Sequence, residues 1–206
     1  MISEENDIDS LSGIEASQDF FTRFWGVDFD LRRMFDLSVI SSEIMESCLA
    51  IFNPGCVSTP EIIHKLREVG VGVGVEEKVR KYFVRASQRT TLHLVKFSCL
   101  PLWQTLGESP VEISRNVPKL SKFQGSFLSL SDYLIAVGFV FSSTGGRFPE
   151  EDRSTFFPEI CFPGGMARSD VRPHEHRLRI VSGNSSVGCG ARFAIPVPLR
   201  GNWGIE

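Results

Sequence analysis

The sequence predicts an α+β protein: a mainly helical first half that includes a basic helical hairpin, then a mixed or antiparallel β-sheet, with sandwich- and barrel-like forms both open. Three observations carry this. Between Ser17 and Ala86 apolar residues recur three and four apart, the spacing of one helix face. After Arg89 the period falls to two, as in Thr91-Leu92-His93-Leu94-Val95-Lys96-Phe97, the pattern of a half-buried strand. Finally, the chain turns apolar on every face in one place only, residues 126–142, where Tyr133 to Phe141 are all apolar. Its β-branched and aromatic content, with Gly and Ser at its bounds, predicts a strand buried on both sides, on which the sheet is centred. A short core helix capped by Ser131 is the competing reading.

Taken in order, residues 1–15 are acidic and poor in large apolar side chains, and they read as a disordered tail. Residues 16–88 form a helical region. Phe20, Phe21, Phe24 and Trp25 line one face of a short helix ended by Gly26, and a second short piece runs from Asp28 to Met34. A longer helix starts at Asp36 as N-cap, carries Leu37, Ile40, Ile44, Cys48 and Phe52 on one side, and stops at Asn53-Pro54-Gly55. Ser58-Thr59-Pro60-Glu61 has capping-box spacing, with proline where a missing amide costs nothing. That helix buries Ile62, Ile63 and Leu66 and ends in Val69-Gly70-Val71-Gly72-Val73-Gly74-Val75, read as a flexible apolar connector because glycine is a poor helix former. The second arm of the hairpin, residues 76–86, turns Val79, Tyr82 and Phe83 inward and Lys78, Arg80, Lys81 and Arg85 outward.

Residues 89–206 read as the β-rich region, packed with the helices as one unit. Possible strand pieces lie at Leu100 to Leu106 and Val111 to Ser114, and the run at 126–142 follows. Residues 142–172 hold three Phe-Pro pairs and several glycines and read as a long irregular loop, a length that marks function or mobility in a compact domain. Strands return at His176 to Val181 and Ala191 to Val197.

Composition bounds the function class. Of 206 residues 17 are Phe and 2 are Tyr, an excess that points to core or buried contact surface. Five cysteines, Cys48, Cys56, Cys99, Cys161 and Cys189, are odd in number and widely spaced, so reduced thiols are expected. The acidic N-terminus does not read as a signal or transit peptide, and no apolar run reaches the roughly 18–20 residues of a membrane helix. The expectation is therefore a cytoplasmic or nuclear protein, not secreted and with no membrane span. Net charge is −3, unevenly placed: −8 over residues 1–50, +4 over 51–100 and +1 over the remainder. An anionic partner is sought first in the middle segment.

Catalytic constellations are missing. There is no Gly-x-Ser-x-Gly elbow, and His93 and Cys99 lie too far apart along a strand to bond each other. The glycine tract at 70–74 follows a helix and precedes Glu76 and Glu77, which is the wrong setting for a phosphate loop. The hairpin over 58–87 has the outline of a helix-turn-helix with a longer turn, in which Lys78, Arg80, Lys81 and Arg85 would contact phosphates.

Two family resemblances bear on function. Pro163-Gly164-Gly165, then His174 and His176, then Gly183 resembles the first half of the cupin metal motif. That resemblance implies a metal-dependent enzyme in which His174 and His176 bind a divalent transition metal. The chain departs from it: Arg177, Leu178 and Arg179 stand where the cupin glutamate is expected, no histidine follows Gly190, and a catalytic site normally takes three protein ligands. Separately, Leu130-Ser131-Asp132 followed by Gly188 is similar to the spaced Leu-x-Asp and Gly pattern of the 30K-type movement proteins of plant viruses. This resemblance, confined to those positions, implies a virus-encoded protein with a β-rich core, although the net acidic charge departs from the basic character of an RNA-binding movement protein.

The leading expectation is a non-catalytic binding or assembly protein without a cofactor. It would contact RNA, another nucleic acid or a protein partner through residues 76–86 and the loop 142–172, with a homo-oligomer among its possible forms.

Overall fold

The computed structural model describes residues 11–83, 89–97, 126–150, 153–162, 165–183 and 189–200. These form helices followed by strands in two sheets, an α+β architecture. The expected pieces at Leu100 to Leu106 and Val111 to Ser114 lie outside the described residues.

Helix α1 (Ile14–Trp25) begins earlier than Ser17, so residues 14 and 15 belong to it and not to a tail. Gly26 ends it in the left-handed conformation, and Phe20, Phe21 and Phe24 are buried. Helix α2 (Leu31–Met34) is capped by Asp30. The long helix expected over 36–52 does not form. Asp36 caps only a 3₁₀ turn (Leu37–Val39), Ser41 caps the short α3 (Ser42–Ser47), and the chain then extends as β1 (Leu49–Asn53), all five residues buried. Serine hydroxyls at 38, 41 and 47 bond locally and divert the backbone from a continuous helix, while Ile51 and Phe52 fit a two-sided strand.

Helix α4 (Thr59–Glu68) carries the capping box in full: Ser58 accepts from the Glu61 amide, and Glu61 accepts from the Ser58 amide. The Ser58 hydroxyl and amide hold the Glu61 carboxyl below its usual range. The glycine tract that follows is a strand, β2 (Gly72–Val75), parallel to β7 (Arg177–Gly183), with Gly72 opposite Arg177 and Gly74 opposite Arg179. The alternation of Gly and Val was thus a period-two signal, with Val73 turned to the core. Among the described residues the expected helical hairpin is accordingly replaced by α4, β2 and a single helical turn, α5 (Glu77–Arg80).

One sheet is antiparallel, in the order β1-β3-β9-β4, with β3 at Thr91–Val95, β4 at Ser126–Phe127 and β9 at Phe193–Val197. The other is mixed, in the order β2-β7-β6-β5-β8, with β5 at Ser154–Phe162, β6 at Gly165–Arg172 and β8 at Cys189–Ala191. Most of the supposed loop 142–172 is therefore the antiparallel pair β5 and β6. Its register shifts between Phe157 and Cys161, around Pro158, which has no amide to donate to the ladder.

The run at 126–142 is mostly helix. Helix α6 (Leu130–Thr144) starts at Ser129, whose hydroxyl accepts from the Asp132 amide, and ends at Gly145 in the left-handed conformation. The central strand expected there is corrected, and so is the cap of its alternative, Ser129 in place of Ser131. A helix buried on all sides has no polar stripe, so its period cannot be read from hydrophobicity. Tyr133 packs edge-on to Phe157 of β5, and Phe139 meets Phe20 and Phe21 of α1. At Gly138 a Cβ would come within 2.9 Å of Leu66 and 3.3 Å of Phe24, so glycine lets α4 and α1 approach α6 closely. One apolar cluster extends from Ile14 to Val197 around this helix. Among the described residues no helix is long and apolar enough to cross a membrane.

Candidate functional site

The basic segment is held in place by its own first residues. The Glu76 carboxylate accepts from the Ser182 amide (2.6 Å) and hydroxyl (2.8 Å), tying the start of α5 to the end of β7. The Ser182 amide is the largest cause that keeps Glu76 below the usual carboxylate range. Val79 is fully buried beneath α5. With Val79 inward and Phe83 half-buried against the core, Lys78, Arg80, Lys81 and Tyr82 all face solvent. Tyr82, expected inward from the helical period, is 46% exposed because the helix stops at Arg80 and the chain turns. Arg85 lies outside the described residues.

The tip of β5 meets this segment. Phe162 lies with its ring centroid 5.8 Å from that of Tyr82, and the Lys78 ammonium stands 5.3 Å from the Phe162 centroid, a cation-π arrangement. Beside them Glu77, Arg80 and Lys81 line a shallow concavity of about 530 Å³. Residues 76–83 and the Phe-Pro segment, eighty positions apart in the sequence, thus form one surface, basic and aromatic together. Lys78 also pairs with Glu76 at 3.5 Å, so part of its charge is offset locally.

The five-stranded sheet adds a second set of cations. Its register places Arg172 opposite Arg177, Asp170 opposite Arg179 and Arg168 opposite Val181, with Gly72 and Gly74 completing two of the rows. Leu178 and Ile180 alternate with the arginines and are buried, so the arginine rows lie on the outer face. The Arg177 guanidinium passes 3.6 Å from where a Cβ of Gly74 would be. Glu175 pairs with Arg172 and Arg177, and Asp170 pairs with Arg179.

The two histidines are not on a strand. His174 lies in the 3₁₀ turn Pro173–Glu175, and His176 follows it in the left-handed conformation. His176 packs edge-on against Phe141 with centroids 5.3 Å apart. The shared direction that a strand would give them is absent, and the described residues contain no group of three or more His, Cys, Asp or Glu side chains able to hold a metal ion.

A separate polar cluster lies at the start of α6. Asp132, 3% exposed, accepts from Asn53 Nδ2 at 3.0 Å and from His93 Nδ1 at 2.9 Å. The Leu130 amide donates to Glu159 of β5. Burial of that carboxylate is the largest cause of a pKa raised to about 7, with the Asp132 charge adding to it. Glu159 is exposed as a residue, while one of its carboxylate oxygens is taken by the Leu130 amide. An Asp-His pair of this kind could orient a general base. Here Asp132 instead pins the helix start to β1 and β3, and no nucleophilic side chain bonds to His93 among the described contacts. Asp132 is therefore a buried helix residue with partners on two strands.

No protein-family model, curated protein or solved structure matches this chain.

Proposed function

We propose that this protein is a non-catalytic nucleic-acid-binding protein whose contact surface is built from Lys78, Arg80, Lys81, Tyr82 and Phe162. The observation that carries this is the convergence of the basic segment on the tip of β5, where cations and aromatic rings meet at the surface. Phosphates supply the charge complement to the lysines and arginine, and release of their counterions gives affinity. The outer arginines of β6 and β7 extend the supply of positive charge on the same sheet. Net acidity elsewhere, concentrated in residues 1–50, keeps a polyanion off the rest of the surface and directs it to this one.

Fluorescence anisotropy with a labelled 20-nucleotide RNA at several salt concentrations tests the reading. Binding is expected to weaken steeply with salt. Neutralising Lys78→Gln, Arg80→Gln and Lys81→Gln together is expected to lower the slope of log K against log salt by about 2–3, close to one per lost phosphate contact. These side chains are exposed, so the variant keeps its fold. Unchanged affinity and slope would refute the assignment and turn attention to a protein partner.

A further inference from the structure

We infer that the nucleic acid held at this surface is single-stranded and that Tyr82 is the platform on which an unpaired base stacks, a conclusion that rests on the nucleic-acid reading above. Two features of the geometry point there. The first is what the surface lacks. Reading duplex DNA in its major groove takes a helix or two-stranded ribbon that enters a groove about 12 Å wide. The basic helix here has four residues, about 6 Å of rise, and stops at Arg80. It lies on the sheet through Val79 and Glu76 and projects no further.

The second is what the surface exposes. Nearly every large aromatic side chain described is buried or half-buried, and Tyr82 is the exposed one. Phe162 backs it from one side and the Lys78 ammonium sits over Phe162, so the Tyr82 ring is supported from the protein and open to solvent. A backed aromatic ring flanked by cations is the arrangement that binds single strands: charge tracks the backbone and the ring takes a base, whatever its identity. In a duplex the bases are already stacked on one another, and the ring has no face to meet. Stacking therefore distinguishes the two forms where charge alone does not.

The test uses the full-length protein with four labelled probes of equal length: single-stranded RNA, single-stranded DNA, duplex RNA and duplex DNA. Single strands are expected to bind at least tenfold more tightly than either duplex at the same salt. Tyr82→Ala is expected to weaken single-strand binding about tenfold or more, with duplex affinity and the salt slope unchanged, whereas Tyr82→Phe keeps the wild-type preference. Circular dichroism of both variants checks the fold. Duplexes binding as tightly as single strands, or Tyr82→Ala binding single strands as well as wild type does, would overturn the stacking inference. Salt-dependent binding that survives in those cases and falls in the triple Lys78, Arg80, Lys81 variant leaves the nucleic-acid reading standing alone. Absence of salt-dependent binding to all four probes overturns both.

Discussion

Replacing Asp132 with alanine tests the account of the core most directly. The carboxylate is 3% exposed and accepts from two side chains on different strands, Asn53 at 3.0 Å and His93 at 2.9 Å. Removing it leaves both donors facing a cavity that is apolar on the α6 side. A buried donor left without an acceptor costs about 1–3 kcal/mol. Asn53, 5% exposed, belongs at the upper end of that range, and His93, whose side chain is 14% exposed, at the lower end. The expected loss for Asp132→Ala is therefore about 2–5 kcal/mol, a large fraction of the roughly 5–15 kcal/mol that holds a protein folded. Asp132→Asn keeps the shape and one accepting oxygen, so it is expected to lose less. Urea unfolding followed by far-ultraviolet circular dichroism measures both, provided the m-value is unchanged. A loss within about 0.5 kcal/mol of zero for the alanine variant, the range of ordinary surface substitutions, would refute the claim that Asp132 ties α6 to the first sheet.

Other outcomes follow from the same contacts. Arg192, 3% exposed, is ion-paired with Glu150, donates to the Lys96 carbonyl at 3.1 Å and lies over the Phe97 ring. Arg192→Ala is expected to cost about 3–5 kcal/mol by leaving Glu150 buried without its cation, read by urea unfolding; a loss below about 1 kcal/mol would refute it. Glu159 has a folded-state pKa raised from 4.5 to about 7, so the protonated form is favoured in the fold. Its contribution to stability is fully present below the unfolded pKa and is lost as pH rises from about 4.5 to about 7. Glu159→Gln, which can still accept from the Leu130 amide, is expected to flatten that part of the stability profile. An identical fall in wild type and variant across this window would sink the assignment.

Some features were legible in the sequence because the groups that make them are neighbours along the chain. The Ser58 and Glu61 capping box, the Gly26 stop after α1 and strand β3 each depend on residues a few positions apart; the first two form as read, and β3 forms over Thr91–Val95, two residues shorter than read. The α+β class follows from the same local periods. The basic character of residues 76–83 was equally visible, since charge is a property of the residues themselves.

Tertiary structure decided whatever depended on partners far away in sequence. Tyr133 to Phe141 is apolar in either conformation; α1, α4, β1 and β5 surround it and make it a helix. Gly72-Val73-Gly74-Val75 becomes a strand because Arg177 to Ile180 lies beside it to accept and donate the hydrogen bonds. Neither Tyr82 nor Phe162 carries a local signal for a binding site. Only the packing of β5 against the turn after α5 brings an aromatic pair to the lysine and arginine side chains, which is why the charge could be read in advance and the surface it belongs to could not.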